Sequence, residues 1–154
     1  MIAAFEAGAS EVAIADIQDI RLERAKELGA TEIINSKNGK LKYQYYDAVF
    51  ECTGARECAV SAIKSARSGG NVVVIGMGSD DMTQIPLLDA VCREISIHGS
   101  FRYRNTYPVA LNIIAKHKEL FSKLITHHYN IDEAEEAFIT ALHDPSACKV
   151  MVNI

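Results

Sequence analysis

Short apolar runs alternate with helix-favouring stretches along the chain, and this alternation constrains the fold more than any other feature. The clearest run is 71–75 (NVVVI), which is nearly all β-branched and unbroken, as is typical of a parallel strand covered on both faces. Because two parallel strands need a crossover connection, and a helix is the usual one, the alternation predicts an α/β fold with a doubly wound parallel sheet. We predict strands at 11–16, 31–35, 46–52, 71–75, 94–98 and 149–154, and helices at 17–28, 56–66, 107–119 and 132–142.

The predicted helices have recognisable ends and apolar faces. Helix 56–66 is expected to close on the pair Gly69-Gly70, and helix 132–142 is expected to begin at Asp132 as its N-cap. Apolar residues that recur at helical spacing should face the core. In the helices 56–66, 107–119 and 132–142 these are, in turn, Ala59, Ile63 and Ala66; Val109, Ile113 and Ile114; and Ala134, Ala137, Phe138 and Ala141.

Length and composition exclude several classes of protein. The 154 residues are 49% hydrophobic and 23% charged, which is enough apolar material for the core of one ordinary domain. The net charge is −4 and no long run of like charge occurs, so we expect no nucleic-acid partner. The sequence has no apolar stretch of the roughly 20 residues that cross a bilayer and no signal-peptide pattern. We therefore expect a soluble, cytoplasmic protein that binds no membrane.

The chain has four cysteines, which stand in apolar or strand-like surroundings and never form a Cys-x-x-Cys pair. This pattern argues against a disulfide framework or a structural zinc clamp. We predict reduced thiols in the core at Cys52, Cys58, Cys92 and Cys148.

Asp16 follows a predicted strand and precedes a predicted helix. A doubly wound sheet places an acid there to accept a hydrogen bond from an adenosine ribose, whereas an NADP site would prefer a positive charge. Asp16 is equally well placed to be the N-cap of helix 17–28, and the two roles can coexist. Arg21 lies on the same helix and could reach back over a ribose or a phosphate, or it could be a solvated surface arginine.

Three further segments follow predicted strands and should meet at one edge of the sheet, where open α/β sheets bind ligands. They are 52–54 (CTG), 75–78 (IGMG) and 100–102 (SFR). Small residues at this edge let the backbone approach a flat ligand. A glycine after a strand can also be a simple turn residue, so the recurrence of the pattern is what indicates a site.

The sequence has no Gly-x-Gly-x-x-Gly turn ahead of Asp16, although such a turn would bind the pyrophosphate of a dinucleotide. In such a domain the glycine-rich turn follows the first strand and is itself followed by a helix. The segment 3–7 (AAFEA) resembles the end of that helix, so we expect the first strand and its turn to be missing. Strand 11–16 would then pair directly with strand 46–52, or both would keep exposed edges that invite aggregation. We also expect cofactor affinity to be lower by several decades in Kd.

Six features occur in order along the sequence: 7–12 (AGASEV), Asp16 with Arg21, 25–30 (AKELGA), 50–54 (FECTG), 73–78 (VVIGMG) and 101–108 (FRYRNTYP). Together they resemble the zinc-containing medium-chain dehydrogenase/reductase family, and the last resembles the family's polyol branch. The match runs in order over essentially the whole chain. The resemblance implies a Rossmann-like coenzyme-binding sheet and the NAD-linked oxidation of a polyol such as sorbitol to a ketose.

The resemblance also implies which residues contact the ligands. Asp16 and Arg21 match contacts to the adenosine ribose of NAD. Arg102 and Tyr103 match positions that hydrogen-bond polyol hydroxyls, against the alternative that they are simply an exposed strand end. The resemblance gives six more candidate contacts to the cofactor: Ile75, Gly76, Met77, Ser100, Phe101 and Arg102. Thr53 is a further candidate because it follows a predicted strand.

The family's catalytic zinc is held by Cys, His and Glu ligands of an N-terminal catalytic domain that this sequence does not match. None of the five histidines is placed to replace them. His127 and His128 are adjacent and would point apart on a strand, and His98, His117 and His143 have no second ligand at metal-site spacing. We predict no metal site and no catalytic residue, and we expect the chain alone to be inactive, since zinc normally activates the alcohol.

Residues 1–122 are predicted to form a partial NAD-binding domain, and 123–154 a segment that returns to the absent catalytic domain. Residues 81–88 (DMTQIPLL) match the segment by which the family pairs coenzyme domains edge to edge, which implies a homo-oligomer. Two alternatives stay open. The chain is a non-catalytic, truncated module that joins full-length subunits, or Met1 is an internal methionine of a longer product.

Overall fold

A computed structural model describes residues 1–78 and 84–154 and divides the chain into two compact units. Unit 1 contains residues 1–39 and 105–154, and unit 2 contains residues 40–104. The elements of unit 1 are α1 (Ile2–Glu6), β1 (Ala13–Asp16), α2 (Asp19–Glu27), β2 (Glu32–Asn35), α5 (Tyr107–Lys116), α6 (Lys118–Ser122), β6 (Ile125–Asn130), α7 (Ala134–His143) and β7 (Lys149–Asn153). Those of unit 2 are β3 (Tyr46–Glu51), α3 (Arg56–Ser65), β4 (Ala66–Val74), α4 (Leu87–Cys92) and β5 (Ser96–Gly99).

Unit 1 holds two parallel strand pairs. β1 pairs with β2 so that Asp16 lies opposite Asn35, and α2 connects the two strands and buries Leu22. β6 pairs with β7, with α7 as the connection. Both pairs are therefore βαβ units, in which the helix covers the sheet it connects.

Unit 2 is a three-stranded parallel sheet in the order β3-β4-β5. The helix α3 runs between β3 and β4 and places Ala59 and Ile63, each less than 5% exposed, against the sheet. The core consists of Ala62, Ile63, Ala66, Val72 and Ala90, with Val49, Val74, Ile85 and Ile95 packed around it. The predicted α/β class and the predicted inward face of this helix are confirmed.

Several predicted boundaries are wrong because contacts between elements override local pattern. The strand predicted at 71–75 begins at Ala66, which pairs with Tyr46 ahead of a register shift, so Gly69 and Gly70 lie inside β4 instead of closing a helix. The strand predicted at 94–98 is displaced to Ser96–Gly99. β6 was not among the predicted strands.

The helices near the C-terminus also differ from expectation. Helix 107–119 breaks at His117, whose φ of −119° and ψ of 38° are not helical. Asp132 is not an N-cap, because it lies inside a single 3-10 turn that precedes α7. The N-cap of this 3-10 turn is Asn130, which forms a capping box with Glu133. Of the predicted inward face of α7, Ala137 is buried, whereas Phe138 is 77% exposed and Ala141 is exposed. In α5, Val109 and Ile114 are likewise exposed.

The strands β1 and β3 belong to separate sheets. Among the described residues β1 pairs only with β2, and β3 only with β4, so each keeps one edge without a strand. The two arrangements expected for strands 11–16 and 46–52 stay predictions, because these strands lie in different units.

All four cysteines are free thiols, but each is exposed, which corrects the prediction of core thiols. Cys58 and Cys92 lie on helices whose inward positions are taken by alanine and isoleucine. Within the described ranges, no helix is long and apolar enough to cross a membrane.

Candidate functional site

In unit 2 three turns leave the carboxyl edge of the sheet, where parallel α/β sheets bind ligands. The turn at Thr53 follows β3, the turn at 75–78 follows β4, and Ser100 follows β5. The backbone N–H of Ser100 donates to the carbonyl of Val74 at 2.9 Å, so the third turn is fixed beside the second. The structure thus brings together the three candidate segments that lie in this unit.

The glycines of the first two turns pack against each other. Gly54 has a φ of +76°, a conformation that side chains disfavour, and a Cβ there would overlap the backbone of Met77 and Gly78. A Cβ at Gly76 would in turn overlap the backbone of Thr53. The space beside these glycines is therefore filled by the facing turn. Their small size is explained by contact between the turns without any ligand.

Glu51, at the end of β3, is a buried acid at 3% exposure. Its carboxylate accepts hydrogen bonds from the backbone N–H of Thr53 at 2.7 Å, from the Thr53 hydroxyl at 2.5 Å and from the N–H of Gly54 at 3.0 Å. The Thr53 hydroxyl also accepts from the N–H of Ala55. Sequence reasoning did not single out Glu51, although an acid that ends an otherwise apolar strand is the signal that could have identified it.

Apolar side chains project from the second and third turns. Ile75 is 44% exposed, Met77 81% and Phe101 71%. The Arg102 guanidinium lies 5.0 Å from the centre of the Phe101 ring, within cation–π range, and Arg102 has a φ of +55°. Tyr103 is 72% exposed. This edge therefore presents apolar surface for a flat ring together with a cation and a phenol at its margin.

Unit 1 contains the other two candidates, Asp16 and Arg21. Asp16 Oδ1 accepts the N–H of Gln18 at 2.9 Å, and Oδ2 lies 3.7 Å from Arg21 Nη1. The N-cap of α2 is Gln18, so Asp16 holds the turn before the helix and is not its N-cap. The Asp16 side chain remains 25% exposed. An ionised carboxylate accepts hydrogen bonds only, so this group fits the hydroxyls of a ribose and repels a phosphate.

Each unit by itself offers groups that suit part of a dinucleotide. In unit 1 the Asp16 carboxylate suits a ribose, and in unit 2 the exposed apolar side chains suit flat rings.

Residues 1–78 and 84–154 include no group of three or more His, Cys, Asp or Glu side chains that could hold a metal ion, so they do not fit a zinc ion. Two histidines pair with single carboxylates. His117 Nε2 lies 2.5 Å from Glu6 Oε1, and His127 Nε2 lies 3.5 Å from Asp144 Oδ2. Hydrogen bonds from His117 and Lys116 lower the pKa of Glu6, and hydrogen bonds from Ser146 lower that of Asp144.

Parallel βαβ units with an acid ending one strand and glycine turns after others define a nucleotide-binding α/β protein. Residues 1–116 match the model of the zinc-binding dehydrogenase family, and the chain belongs to that family. The predicted family and its Rossmann-like fold are thereby confirmed.

The chain is 40% identical to human sorbitol dehydrogenase over 144 residues, which cover 86% of this chain and 40% of that protein. L-idonate 5-dehydrogenase from Escherichia coli matches with a TM-score of 0.89 at 28% identity, over 99% of this chain and 45% of that one. A short chain alcohol dehydrogenase from E. coli, solved with NADH, matches with a TM-score of 0.80 at 25% identity, over 94% and 45% of the two chains. The chain thus spans about 40% of the length of the sorbitol dehydrogenases it matches. Zinc and nicotinamide coenzymes are ligands of the family.

Proposed function

We propose that the chain is the coenzyme-binding portion of an NAD-dependent polyol dehydrogenase, which oxidises a polyol such as sorbitol to a ketose. The observation that carries the proposal is the partly exposed Asp16 carboxylate at the end of β1, which contacts the Gln18 N–H and Arg21. The 40% identity to a sorbitol dehydrogenase supports a polyol as the substrate class.

Asp16 accepts hydrogen bonds from the adenosine ribose, and its negative charge disfavours the 2′-phosphate of NADP. Arg21 neutralises part of that charge and lies over the same ribose. NAD supplies the hydride acceptor when it is bound. The remaining contacts to the coenzyme are assigned to Thr53, Ile75, Gly76, Met77, Ser100, Phe101 and Arg102.

Arg102 and Tyr103 are proposed to hydrogen-bond the hydroxyls of the polyol. Both lie just after the turn that follows β5, and both can donate to an alcohol oxygen. In this assignment they orient the substrate and do not move its proton. We propose that the chain by itself does not turn over polyol, because the residues that match the family include none of its zinc ligands.

Titration with NADH, followed by fluorescence, tests the role of Asp16. Asp16→Asn keeps the shape of the side chain and removes its charge, and we expect NADH binding to weaken by roughly tenfold. Glu23→Gln, an exposed acid on the same helix, is the matched control and should bind as the unaltered chain does. Equal affinities for the unaltered chain and Asp16→Asn would refute the assignment.

A second candidate function is that of a non-catalytic module that assembles through residues 81–88. Residues 81–83 lie outside the described part of the chain, but α4 begins in this segment and exposes Leu87, Leu88 and Val91 at 60%, 76% and 66%. Three exposed aliphatic residues on one short helix favour self-association.

Light scattering of Leu88→Glu measures the contribution of this surface to assembly. The variant should shift an oligomer to the monomer, whereas Leu142→Glu, at an equally exposed leucine of α7, should not. A monomeric unaltered chain would refute the homo-oligomer.

We further propose a cytoplasmic location, where reducing conditions keep four exposed thiols free.

A further inference from the structure

Glu51 contacts both of the glycine turns at the carboxyl edge of unit 2. Its carboxylate accepts from the Thr53–Gly54 turn, as described above. Its backbone carbonyl accepts the N–H of Ile75 at 2.8 Å and the N–H of Gly76 at 3.0 Å. One residue therefore supplies acceptors to the turn on its own strand and to the turn on the neighbouring strand.

The two turns cannot move independently. A Cβ at Gly76 would overlap the backbone of Thr53, and one at Gly78 would overlap the carbonyl of Gly54. Backbones in such close contact transmit displacements, because close-packed groups leave no free volume to absorb them. A change in the Thr53–Gly54 turn must therefore also change the turn at 75–78.

We propose that Glu51 is a positioning residue for the coenzyme: its buried carboxylate fixes the Thr53–Gly54 turn, and through that turn the one at 75–78, as a single binding surface. This inference rests on the proposed function, since it assumes that these turns bind the coenzyme. Glu51 does not itself touch the ligand. Without its oxygens, two backbone N–H groups and one hydroxyl lose their acceptor, and the turn must rotate to find others.

Cys52 reports on the charge of Glu51. Although Cys52 is exposed as a residue, partial burial of its thiol and the adjacent Glu51 carboxylate raise the pKa of that thiol. The pH at which Cys52 becomes reactive should therefore fall when the negative charge of Glu51 is removed. Cys58, Cys92 and Cys148 are exposed thiols away from Glu51 in the sequence and serve as internal references for the alkylation reaction itself.

Three variants of the 154-residue chain test the proposal. Glu51→Ala removes both oxygens, Glu51→Gln keeps the shape without the charge, and Glu57→Gln neutralises an exposed acid of α3 as the control. We expect the Kd for NADH to rise roughly tenfold or more in Glu51→Ala, about threefold in Glu51→Gln, and not at all in Glu57→Gln. The alkylation midpoint of Cys52, read by mass spectrometry, should fall in both Glu51 variants and stay unchanged in Glu57→Gln.

The proposal is overturned if Glu51→Gln is folded and binds NADH with the Kd of the unaltered chain, whatever the Cys52 midpoint does. If Glu51→Ala does not fold, Glu51→Gln carries the test. If the unaltered chain does not bind NADH, the proposed function fails separately. The amide chemical shifts of Gly76 and Gly78 then decide: a change in Glu51→Gln supports the positioning role, and no change overturns it.

Discussion

Among single residues, Arg93 shows how this fold accommodates a nearly buried charge. Its guanidinium donates to the carbonyls of Ile63 at 2.8 Å and Ala66 at 2.7 Å, where α3 ends, and it pairs with Asp89 through two nitrogens. The last carbonyls of a helix have no partner within the helix, so Arg93 supplies donors that α3 lacks. The contact joins the ends of α3 and α4 to the start of β4.

We expect Arg93→Ala to lower the free energy of unfolding by about 2 kcal/mol, because it leaves two carbonyls and a carboxylate without their donor. Urea denaturation of the variant measures this. Arg67→Ala removes an exposed ion pair with Asp47 and should cost less than about 1 kcal/mol. Equal losses in the two variants would contradict the role given to Arg93.

The lowered pKa of one carboxylate, Glu6, predicts that the stability of the fold around α1 depends on pH. Glu6 accepts from His117 and Lys116, and these hydrogen bonds lower its pKa. A carboxyl group whose pKa is lower in the folded state stabilises the fold above its unfolded pKa, and this contribution is lost as the pH falls through the folded value. The helix α1 has no buried residue, and Glu6 joins it to Lys116 at the end of α5 and to His117 at the N-cap of α6.

Hydrogen exchange of the α1 amides should therefore quicken, relative to intrinsic rates, as the pH falls below the ordinary range of carboxyl titration. Glu6→Gln should show the same loss of protection already at neutral pH. Glu119→Gln, which neutralises an exposed acid of α6, should not. Unchanged protection of α1 in Glu6→Gln would show that the ion pairs do not hold the helix.

Among the elements, the turn after β3 has no room for an added side-chain carbon at Gly54. Gly54→Ala would place a Cβ in the backbone of the facing turn at a φ of +76°. We expect it to destabilise unit 2 by more than about 1 kcal/mol, as measured by thermal or urea unfolding. Gly99→Ala is the control, since nothing lies within 4 Å of the added Cβ and its φ is not positive. A tolerated Gly54→Ala would mean that the two turns can separate.

Sequence periodicity predicted the α/β class and the buried face of α3, because that helix packs on a sheet built within the same unit. It failed for Phe138 on α7, since an amphipathic pattern indicates which face is apolar and not whether another element covers it. The ends of the predicted strands also indicated that the turns at Thr53 and 75–78 would meet at one edge of the sheet. The role of Glu51 was not predictable from spacing, because it depends on hydrogen bonds from a turn and a neighbouring strand.

For the whole molecule, the proposed contacts are divided between two units. Asp16 and Arg21 belong to unit 1, and the other assigned residues belong to unit 2. Both sets follow strands at their carboxyl ends, so a dinucleotide should perturb residues at the carboxyl edges of β1, β3, β4 and β5.

Amide chemical shifts recorded during a titration with NADH would decide whether this chain is a coenzyme-binding module. We expect saturable changes after β1 at Ile17, and in unit 2 at Thr53, Gly76 and Ser100, with little change at the opposite edge of the sheets. NADPH should produce weaker changes because of the charge of Asp16. The absence of saturable changes, or changes confined to α7 and β7, would contradict the proposed function.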